Sequence, residues 1–235
     1  MKFSIIVTGY NCKSYVKECM DSLLNQTYKD FEIITISDGS TDNTVWEILQ
    51  CDGLSATFKH RENLGALRRR YDALQTATGD IILFVGMDDY LQPNALEVLA
   101  KVYEDPKVRM TYGSWMTPDR VGQLAKPYPS EVFKNKSFRN HKWLATALNS
   151  FKRELLLKVP REKLINPNTG EFFTNCTDLA YSFPCLEMCE ENEVAVVKEF
   201  IYVYRNEHDN TTLNRLGREH KTKTREILRN MEVCE

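Results

Sequence analysis

A run of five apolar residues, from Ile81 to Val85, leads through two further residues to a pair of adjacent carboxylates, Asp88 and Asp89. Its length and its β-branched and aromatic side chains predict a strand buried on both faces of a sheet. In an open α/β sheet, ligands bind in the crevice beyond the carboxyl ends of the strands. Two acids at that place suit a hard divalent cation and the phosphates that it binds. A plain solvated turn is the alternative interpretation.

Further strands alternate with helices in the first half of the chain. Strands are predicted at Phe3 to Val7, Phe31 to Ile36, Ala56 to Lys59 and Val108 to Tyr112. Helical spacing of apolar residues follows each of the first three and also follows Asp89. This alternation predicts an α/β fold with a doubly wound, mostly parallel sheet and right-handed crossovers.

The pattern is weaker beyond Gly113. Residues 115–130 are polar and contain three prolines, which predicts a long loop. Helical signals lie at Leu155 to Val159 and at Cys176 to Cys189, and Val194 to Tyr204 predicts one or two strands. The basic stretch from Leu213 to Met231 predicts a last helix. It is either a solvated helix or one that docks on an anionic membrane surface.

Composition excludes several classes of protein. The chain has 235 residues, 42% hydrophobic residues and a formal net charge of −2, so no global field favours a nucleic-acid partner. Its apolar runs are too short to span a bilayer and no signal peptide is recognised, which predicts a cytoplasmic protein. Seven cysteines without CxxC spacing argue against a disulfide framework or a structural zinc site. Packing is the favoured role for Cys185 and Cys189.

Polar segments follow the other predicted strands. Thr8 to Asn11 follows the first strand and contains one aromatic residue, Tyr10. Asp38 stands between a strand and a helix, where its carboxylate can accept a hydrogen bond from a ring N–H; an Asx-turn is the alternative. Three arginines, Arg68 to Arg70, begin a helix. Successive helical residues point about 100° apart, so at most one or two of them can face a ligand.

Taken in order, these segments resemble the family 2 glycosyltransferases with a GT-A fold. The matching motifs are Ile5 to Asn11, Ser37 to Asp42, Asn63 to Gly65, Gly79 to Asp80, and Asp88 to Asp89. Each is weak alone, but the ordered series covers roughly residues 1–115 in the family's spacing. The resemblance implies a nucleotide-sugar-binding half at 1–115, an acceptor-binding and catalytic half at 116–212, and a basic helix at 213–235.

The resemblance also implies roles for residues on the donor side. Thr8, Tyr10 and Asn11 match positions that contact the nucleotide, with the Tyr10 ring stacking on the base. Asp38 matches the acid that reads a base N–H. Arg69 or a neighbouring arginine would lie near the diphosphate, and Met87 and Asp88 are also expected among the nucleotide-binding residues.

The same resemblance implies a metal ion and a general base. Asp88 matches the last acid of the family's DxD motif, which holds Mn²⁺ or Mg²⁺, whereas Gly86 replaces its first acid. His208 matches a histidine that can complete the metal shell, although a surface role is the alternative. Asp178 is the candidate general base, with Glu171 in reserve. A helix N-terminal aspartate that serves only the helix dipole is the alternative for Asp178.

The function expected from the resemblance is therefore an inverting glycosyltransferase of the hexosyl or N-acetylhexosaminyl type. It would move a sugar from a nucleotide-sugar donor, a UDP-sugar in the first place, to a glycan or lipid-linked acceptor. The alternative is a catalytically silent module that binds sugar nucleotides or glycans, because Gly86 and an incomplete Glu-Asp pair depart from the family pattern. Neither a GxGxxG turn nor a Walker-type loop is present, which disfavours a dehydrogenase or a P-loop enzyme.

Overall fold

A computed structural model describes residues 1–205 and 215–234 of the chain. The strands are β1 (Phe3–Gly9), β2 (Phe31–Asp38), β3 (Ala56–His60), β4 (Ile81–Gly86), β5 (Tyr90–Leu91), β6 (Met110–Met116), β7 (Gly122–Gln123), β8 (Ser150–Lys152) and β9 (Val194–Val203). The α-helices are α1 (Val16–Leu24), α2 (Thr44–Leu49), α3 (Ala66–Leu74), α4 (Ala95–Val102), α5 (Ser130–Lys134), α6 (Arg153–Leu157), α7 (Thr177–Glu187) and α8 (Arg215–Asn230). Short 3-10 helices lie at Phe138–Asn140, Arg161–Leu164 and Glu191–Glu193.

All the strands form one mixed sheet in the order β3-β2-β1-β4-β8-β6-β9-β5, with β7 paired to β6. The longer pairings are parallel: β1 with β2 and β4, β2 with β3, and β6 with β9. The strand–helix–strand connections of the first half therefore confirm the predicted α/β fold.

The strand β8 was not predicted from the sequence. It lies between β4 and β6 and runs antiparallel to both. The strand has only three residues and is followed directly by α6. The alternation of side chains that indicates a strand is therefore too short to detect in the sequence. The hydroxyl of Ser150 contacts Thr111 Oγ1 at 2.6 Å and the Tyr103 hydroxyl at 2.9 Å, which satisfies three buried polar groups inside the sheet.

Each face of the sheet is covered by its own core. Alternate residues of β1 point to opposite faces, so Ile5 and Val7 pack with α1 and α4, whereas Ile6 packs with α3 and α7. Burial on both faces explains why these strands read as continuous apolar runs rather than alternating ones.

The helix α8 packs against the core that contains Ile6, α3 and α7. Leu228 is 1% exposed, and its carbonyl oxygen accepts a hydrogen bond from Arg139 Nη1 at 2.5 Å. Arg139 also forms a buried, two-pronged ion pair with Glu187 of α7. The Glu187 carboxylate in turn accepts the backbone N–H of Cys234 at 2.8 Å. One buried ion pair thus joins α7 to the segment that ends the chain.

Two findings bear on composition-based expectations. All seven cysteines have free thiols in the structure, and six of them are buried. Within the described ranges, no helix combines the length and the apolar character needed to cross a lipid bilayer.

Candidate active site

The candidate site lies where parallel strands end side by side. Thr8 of β1 is level with Gly86 of β4, and Gly9 is level with Ser37 of β2. The segments after these three strands therefore meet at one edge of the sheet, as expected for a doubly wound fold.

Asp38 is held by three donors from the protein itself. Its Oδ1 accepts from the backbone N–H of Leu64 at 3.0 Å and from Arg69 Nε at 2.6 Å, while Oδ2 accepts from the Gly65 N–H at 2.8 Å. The side chains of Arg69 and Asp38 are 6% and 4% exposed. A carboxylate offers about four acceptor positions, so one position, on Oδ2, has no donor among the described residues.

The loop after β1 is fixed to the loop after β2. Asn11 has φ of 53°, its side-chain oxygen accepts the Thr41 N–H at 2.8 Å, and its own N–H bonds Ser40 Oγ at 3.1 Å. Its side chain thus braces the loop. The Tyr10 ring is 48% exposed, and Thr8 Oγ1 is buried and has no hydrogen-bond partner among the residues that the structure describes. An exposed ring beside an unsatisfied hydroxyl is an arrangement ready to receive a ligand.

Met87, which the resemblance places among the nucleotide-binding residues, packs inside the protein. Its side chain is fully buried, and a β-carbon placed on Gly9 would lie 2.6 Å from Met87 Cβ. The Met87 side chain therefore packs beneath the first loop, and a contact with a nucleotide would have to come from its main chain.

The second acid of the pair, Asp89, is engaged with strand β9. Its carboxylate accepts from the hydroxyl of Tyr202 and from the backbone N–H of Arg205 at 2.8 Å. Arg205 also donates from Nε to the Asp88 carbonyl at 3.1 Å. Burial, together with the charge of Asp88, raises the pKa of Asp89 to about 7. Asp89 is therefore a supporting residue that joins the end of β4 to the end of β9.

Asp88 is half-buried, and its carboxylate lies against Gly86: a β-carbon there would be 2.6 Å from Asp88 Oδ1. Across the described residues, no group of three or more His, Cys, Asp or Glu is arranged to hold a metal ion. Mg²⁺ typically keeps several waters and takes one or two carboxylates plus substrate phosphates, and Asp88 fits that mode. His208 lies outside the described residues.

A cavity of about 560 Å³ opens beside these strand ends. Asp89, Asp178 and Arg70 contribute to its wall, whereas Thr8, Tyr10 and Asp38 lie outside it. Thr8, Tyr10 and Asp38 lie at strand ends that we call the donor rim, outside the cavity whose wall holds the candidate base.

Asp178 is in the first turn of α7 and faces this cavity. Its side chain is exposed to solvent, but it stands in the wall of the cavity, where nearby protein atoms partly desolvate the carboxylate. This desolvation raises the pKa of Asp178, while the N–H of Leu179 and the charges of Lys221 and Arg70 act in the opposite direction. A carboxylate with a raised pKa in a cavity wall has the chemistry of a general base.

Of the three arginines, it is Arg70, and not Arg69, that lines the cavity. Its guanidinium lies 5.3 Å from the centre of the Phe84 ring and donates to Thr177 Oγ1 at 3.2 Å, while its buried Nε has no partner among the described residues. Burial lowers the pKa of Arg70, and the charges of Asp178 and Asp88 both act against this effect. Arg70 therefore lies within electrostatic reach of both carboxylates.

Sequence reasoning missed several residues of the cavity wall. Asn149 and Tyr181 each present a buried side-chain oxygen without a partner in the described part of the chain, and Trp115 and Trp143 form apolar wall. Asn149 directly precedes the unpredicted strand β8, and Tyr181 reads as an ordinary apolar position of α7. No motif marks them. Glu171, the reserve candidate, is exposed and does not line the cavity.

Comparison with known proteins adds an independent line of argument. GlyA, a glycosyltransferase of Streptococcus pneumoniae serotype 4, is 28% identical over 159 residues, which are 64% of this chain and 23% of that protein. The chain spans less than a quarter of the length of the first curated relatives that it matches.

Solved structures share the fold. TarS of S. aureus in complex with UDP-GlcNAc matches 97% of this chain and 65% of that one, with a TM-score of 0.69 and 20% identity. Glucosyl-3-phosphoglycerate synthase of Mycobacterium tuberculosis, with Mn²⁺, UDP and glucosyl-3-phosphoglycerate, matches 95% of this chain and 79% of that one, with a TM-score of 0.62 and 15% identity.

The sequence profile of glycosyl transferase family 2 matches residues 4–163, a range that contains the three strand ends of the donor rim and part of the cavity wall. Family and fold therefore agree, and the chain belongs to glycosyl transferase family 2, with a GT-A fold.

Proposed function

We propose that the chain is an inverting glycosyltransferase that uses a nucleotide-sugar donor, a UDP-sugar, and a glycan or lipid-linked acceptor. The observation that carries this proposal is the position of Arg70: its half-buried side chain lines the same cavity as Asp178, beside the strand end at which Asp88 and Asp89 lie. A cation in the wall of this cavity is suited to the charge of a diphosphate leaving group.

On the donor side, Tyr10 would stack on the base and Asp38 would accept a base N–H through the free position on Oδ2. Thr8 and Asn11 would border the same rim. Asp88 would hold Mn²⁺ or Mg²⁺ with waters and the diphosphate, and the ion supplies charge neutralisation of the leaving group when bound. Mn²⁺ together with UDP in the M. tuberculosis enzyme supports this assignment.

On the acceptor side, Asp178 would take the proton from the attacking hydroxyl. The acceptor oxygen then forms a bond to the anomeric carbon as the bond from that carbon to the diphosphate oxygen breaks. The electron pair leaves with the nucleoside diphosphate, where Arg70 stabilises the charge. Attack from the face opposite the diphosphate inverts the anomeric centre.

The test is release of UDP from a panel of UDP-sugars with Mn²⁺ or Mg²⁺ and with short glycan acceptors. We expect metal-dependent turnover with at least one donor, and loss of metal-dependent UDP binding by calorimetry in Asp88→Asn. Asp52→Asn, in an exposed turn after α2, is the matched control. Unchanged UDP affinity in Asp88→Asn would refute the assigned role of this residue.

A catalytically silent binding module is the second candidate. Gly86 in place of an acid and the lack of a three-ligand metal cluster among the described residues favour it. Tight UDP binding without turnover on any donor or acceptor of the panel would support this candidate against the enzyme.

A further inference from the structure

The helix α8 brings two cations to the cavity. Lys221 and Arg225 are four residues apart, so they share one helix face, and both contribute to the cavity wall. Neither forms an ion pair within residues 1–205 and 215–234. With Arg70, they give the cavity wall three cations against the two carboxylates of Asp89 and Asp178, so the wall carries a net positive charge in a chain whose net charge is −2.

These cations lie beside the candidate base rather than at the ends of the parallel strands. The Lys221 carbonyl is 3.6 Å from the Sγ of Cys176, two residues before Asp178. The preceding residue, His220, has its Nδ1 3.2 Å from Nδ2 of Asn175. Lys221 and Arg225 therefore border the part of the cavity where an acceptor hydroxyl must approach Asp178.

The same cavity offers further polar groups and flat apolar surface. Tyr181 is 2% exposed, yet its hydroxyl has no hydrogen-bond partner in the described chain, and Asn149 Oδ1 is likewise unpartnered. Such groups are normally satisfied, so both are available to ligand hydroxyls. Trp115 and Trp143 can cover the face of a sugar ring.

We propose that Lys221 and Arg225 form an anion subsite for the acceptor, which carries a phosphate or carboxylate group close to the hydroxyl that is glycosylated. This inference rests on the proposed function, because it takes the ligand to be the acceptor of the transfer. The binding of an anion at the subsite can nevertheless be measured without turnover. Guanidinium and ammonium groups both recognise phosphate and carboxylate through charge-assisted hydrogen bonds.

The experiment is a titration with inorganic phosphate, followed by the fluorescence of Trp115 and Trp143, in the presence of saturating UDP and Mg²⁺. Saturating UDP fills the donor site, so added phosphate reports a second anion site. Glucuronate and glucose are titrated in parallel to separate a carboxylate from a neutral sugar. If UDP does not bind, the titration is run without it, so that failure of the proposed function is seen separately.

We expect saturable binding of phosphate and of glucuronate, with glucose weaker. Lys221→Gln and Arg225→Gln each weaken anion binding about tenfold, as for the loss of one charge-assisted hydrogen bond, and leave UDP affinity unchanged. Lys223→Gln is the matched control, because this exposed lysine on the same helix lies outside the cavity wall. Glutamine keeps helix propensity, and circular dichroism checks that α8 is intact.

Several results would overturn the inference. Competition between phosphate and UDP would assign the two cations to the donor diphosphate. Equal losses of phosphate affinity in Lys221→Gln, Arg225→Gln and Lys223→Gln would show that only the general surface charge of α8 attracts the anion. A loss of stabilisation by UDP-glucuronate, but not by UDP-glucose, in Lys221→Gln would assign the anion to the donor sugar. Sedimentation with phosphatidylglycerol vesicles that needs Lys221 and Arg225, without phosphate binding, would assign them to a membrane surface.

Discussion

Arg69 donates its Nε–H to Oδ1 of Asp38 at 2.6 Å, and both side chains are almost fully buried. The ion pair orders the turn at Leu64 and Gly65, because the same carboxylate accepts both backbone N–H groups. The resemblance implied that Arg69 or a neighbouring arginine lies near the diphosphate; in the structure Arg69 holds Asp38 in position, and its neighbour Arg70 lines the cavity.

We predict that Arg69→Met lowers the free energy of unfolding by about 3–5 kcal/mol, since it leaves a buried carboxylate without its cation. Urea denaturation measures the change. Arg68→Met is the matched control on the same helix: Arg68 pairs with Asp72, and both side chains are more than a third exposed, so the expected loss is about 0.5 kcal/mol or less. Equal losses in the two variants would show that the buried pair is not a stabilising feature.

Asp178→Asn should reduce kcat by roughly 10²- to 10⁴-fold while leaving UDP affinity intact, since only proton transfer is removed. The wild-type rate should also fall as the pH drops, because a base must be ionised and desolvation by the cavity wall raises the pKa of Asp178 above its ordinary value. Lys221 opposes this rise, so Lys221→Gln should move the acid limb of the kcat profile to higher pH. A wild-type kcat that stays constant down to pH ~4, the ordinary carboxylate range, contradicts this role.

Glu32 is predicted to stabilise the fold in a pH-dependent way. Burial alone would raise its pKa, but hydrogen bonds from Ser4 Oγ, the Thr78 N–H and Lys2 Nζ outweigh burial and bring the pKa to about 2. Because the folded-state pKa is depressed, the contribution is present above the unfolded value and is lost as the pH falls through about 4.5 to about 2.

Glu32→Gln should therefore lower the free energy of unfolding at pH 7 by on the order of 2–3 kcal/mol, and the difference from wild type should shrink toward pH 2. Denaturant unfolding at several pH values measures it. Glu104→Gln, at an exposed position after α4, serves as control. A difference that is constant across the pH range would mean that the charge of Glu32 is not its source.

The ion pair between Arg139 and Glu187 should control how firmly α8 is held. Glu187→Gln leaves the Arg139 cation without its counter-charge, and we expect a loss of about 3 kcal/mol together with faster amide hydrogen exchange in α8 than in β1 or β2. Glu190→Gln, which removes an exposed partner of Lys136, is the control. Amide hydrogen exchange that becomes faster to the same extent over the whole sheet would contradict a role of this ion pair in holding α8 alone.

The first half of the fold could be predicted from the sequence because its signals are local. Each buried parallel strand reads as one apolar run, and each helix follows with its own period, so the strand ends and their polar residues can be located without tertiary information. The acids Asp38 and Asp88 could be named for that reason, whereas Asp178, at the start of α7, was named from the family resemblance.

The rest depends on contacts between distant parts of the chain. Which arginine of a run of three faces the cavity depends on the rotation of α3 against the sheet, and the burial of Met87 depends on the close approach of Gly9. Asn149 and Tyr181 become neighbours only when β8 and α7 pack, and α8 reaches the cavity from more than 40 residues away in sequence. None of these arrangements has a periodic signature.

The three-residue strand β8 has a consequence for synthesis on the ribosome. Because it lies between β4 and β6, the sheet cannot be continuous until Lys152 has emerged, and β6 gains its parallel neighbour β9 only about 40 residues later. The nascent chain therefore presents the open edge of β4 throughout the synthesis of the intervening residues, a stage at which unpaired strand edges favour aggregation. That exposure ends when Ser150 to Lys152, which no sequence pattern predicts as a strand, pair with β4.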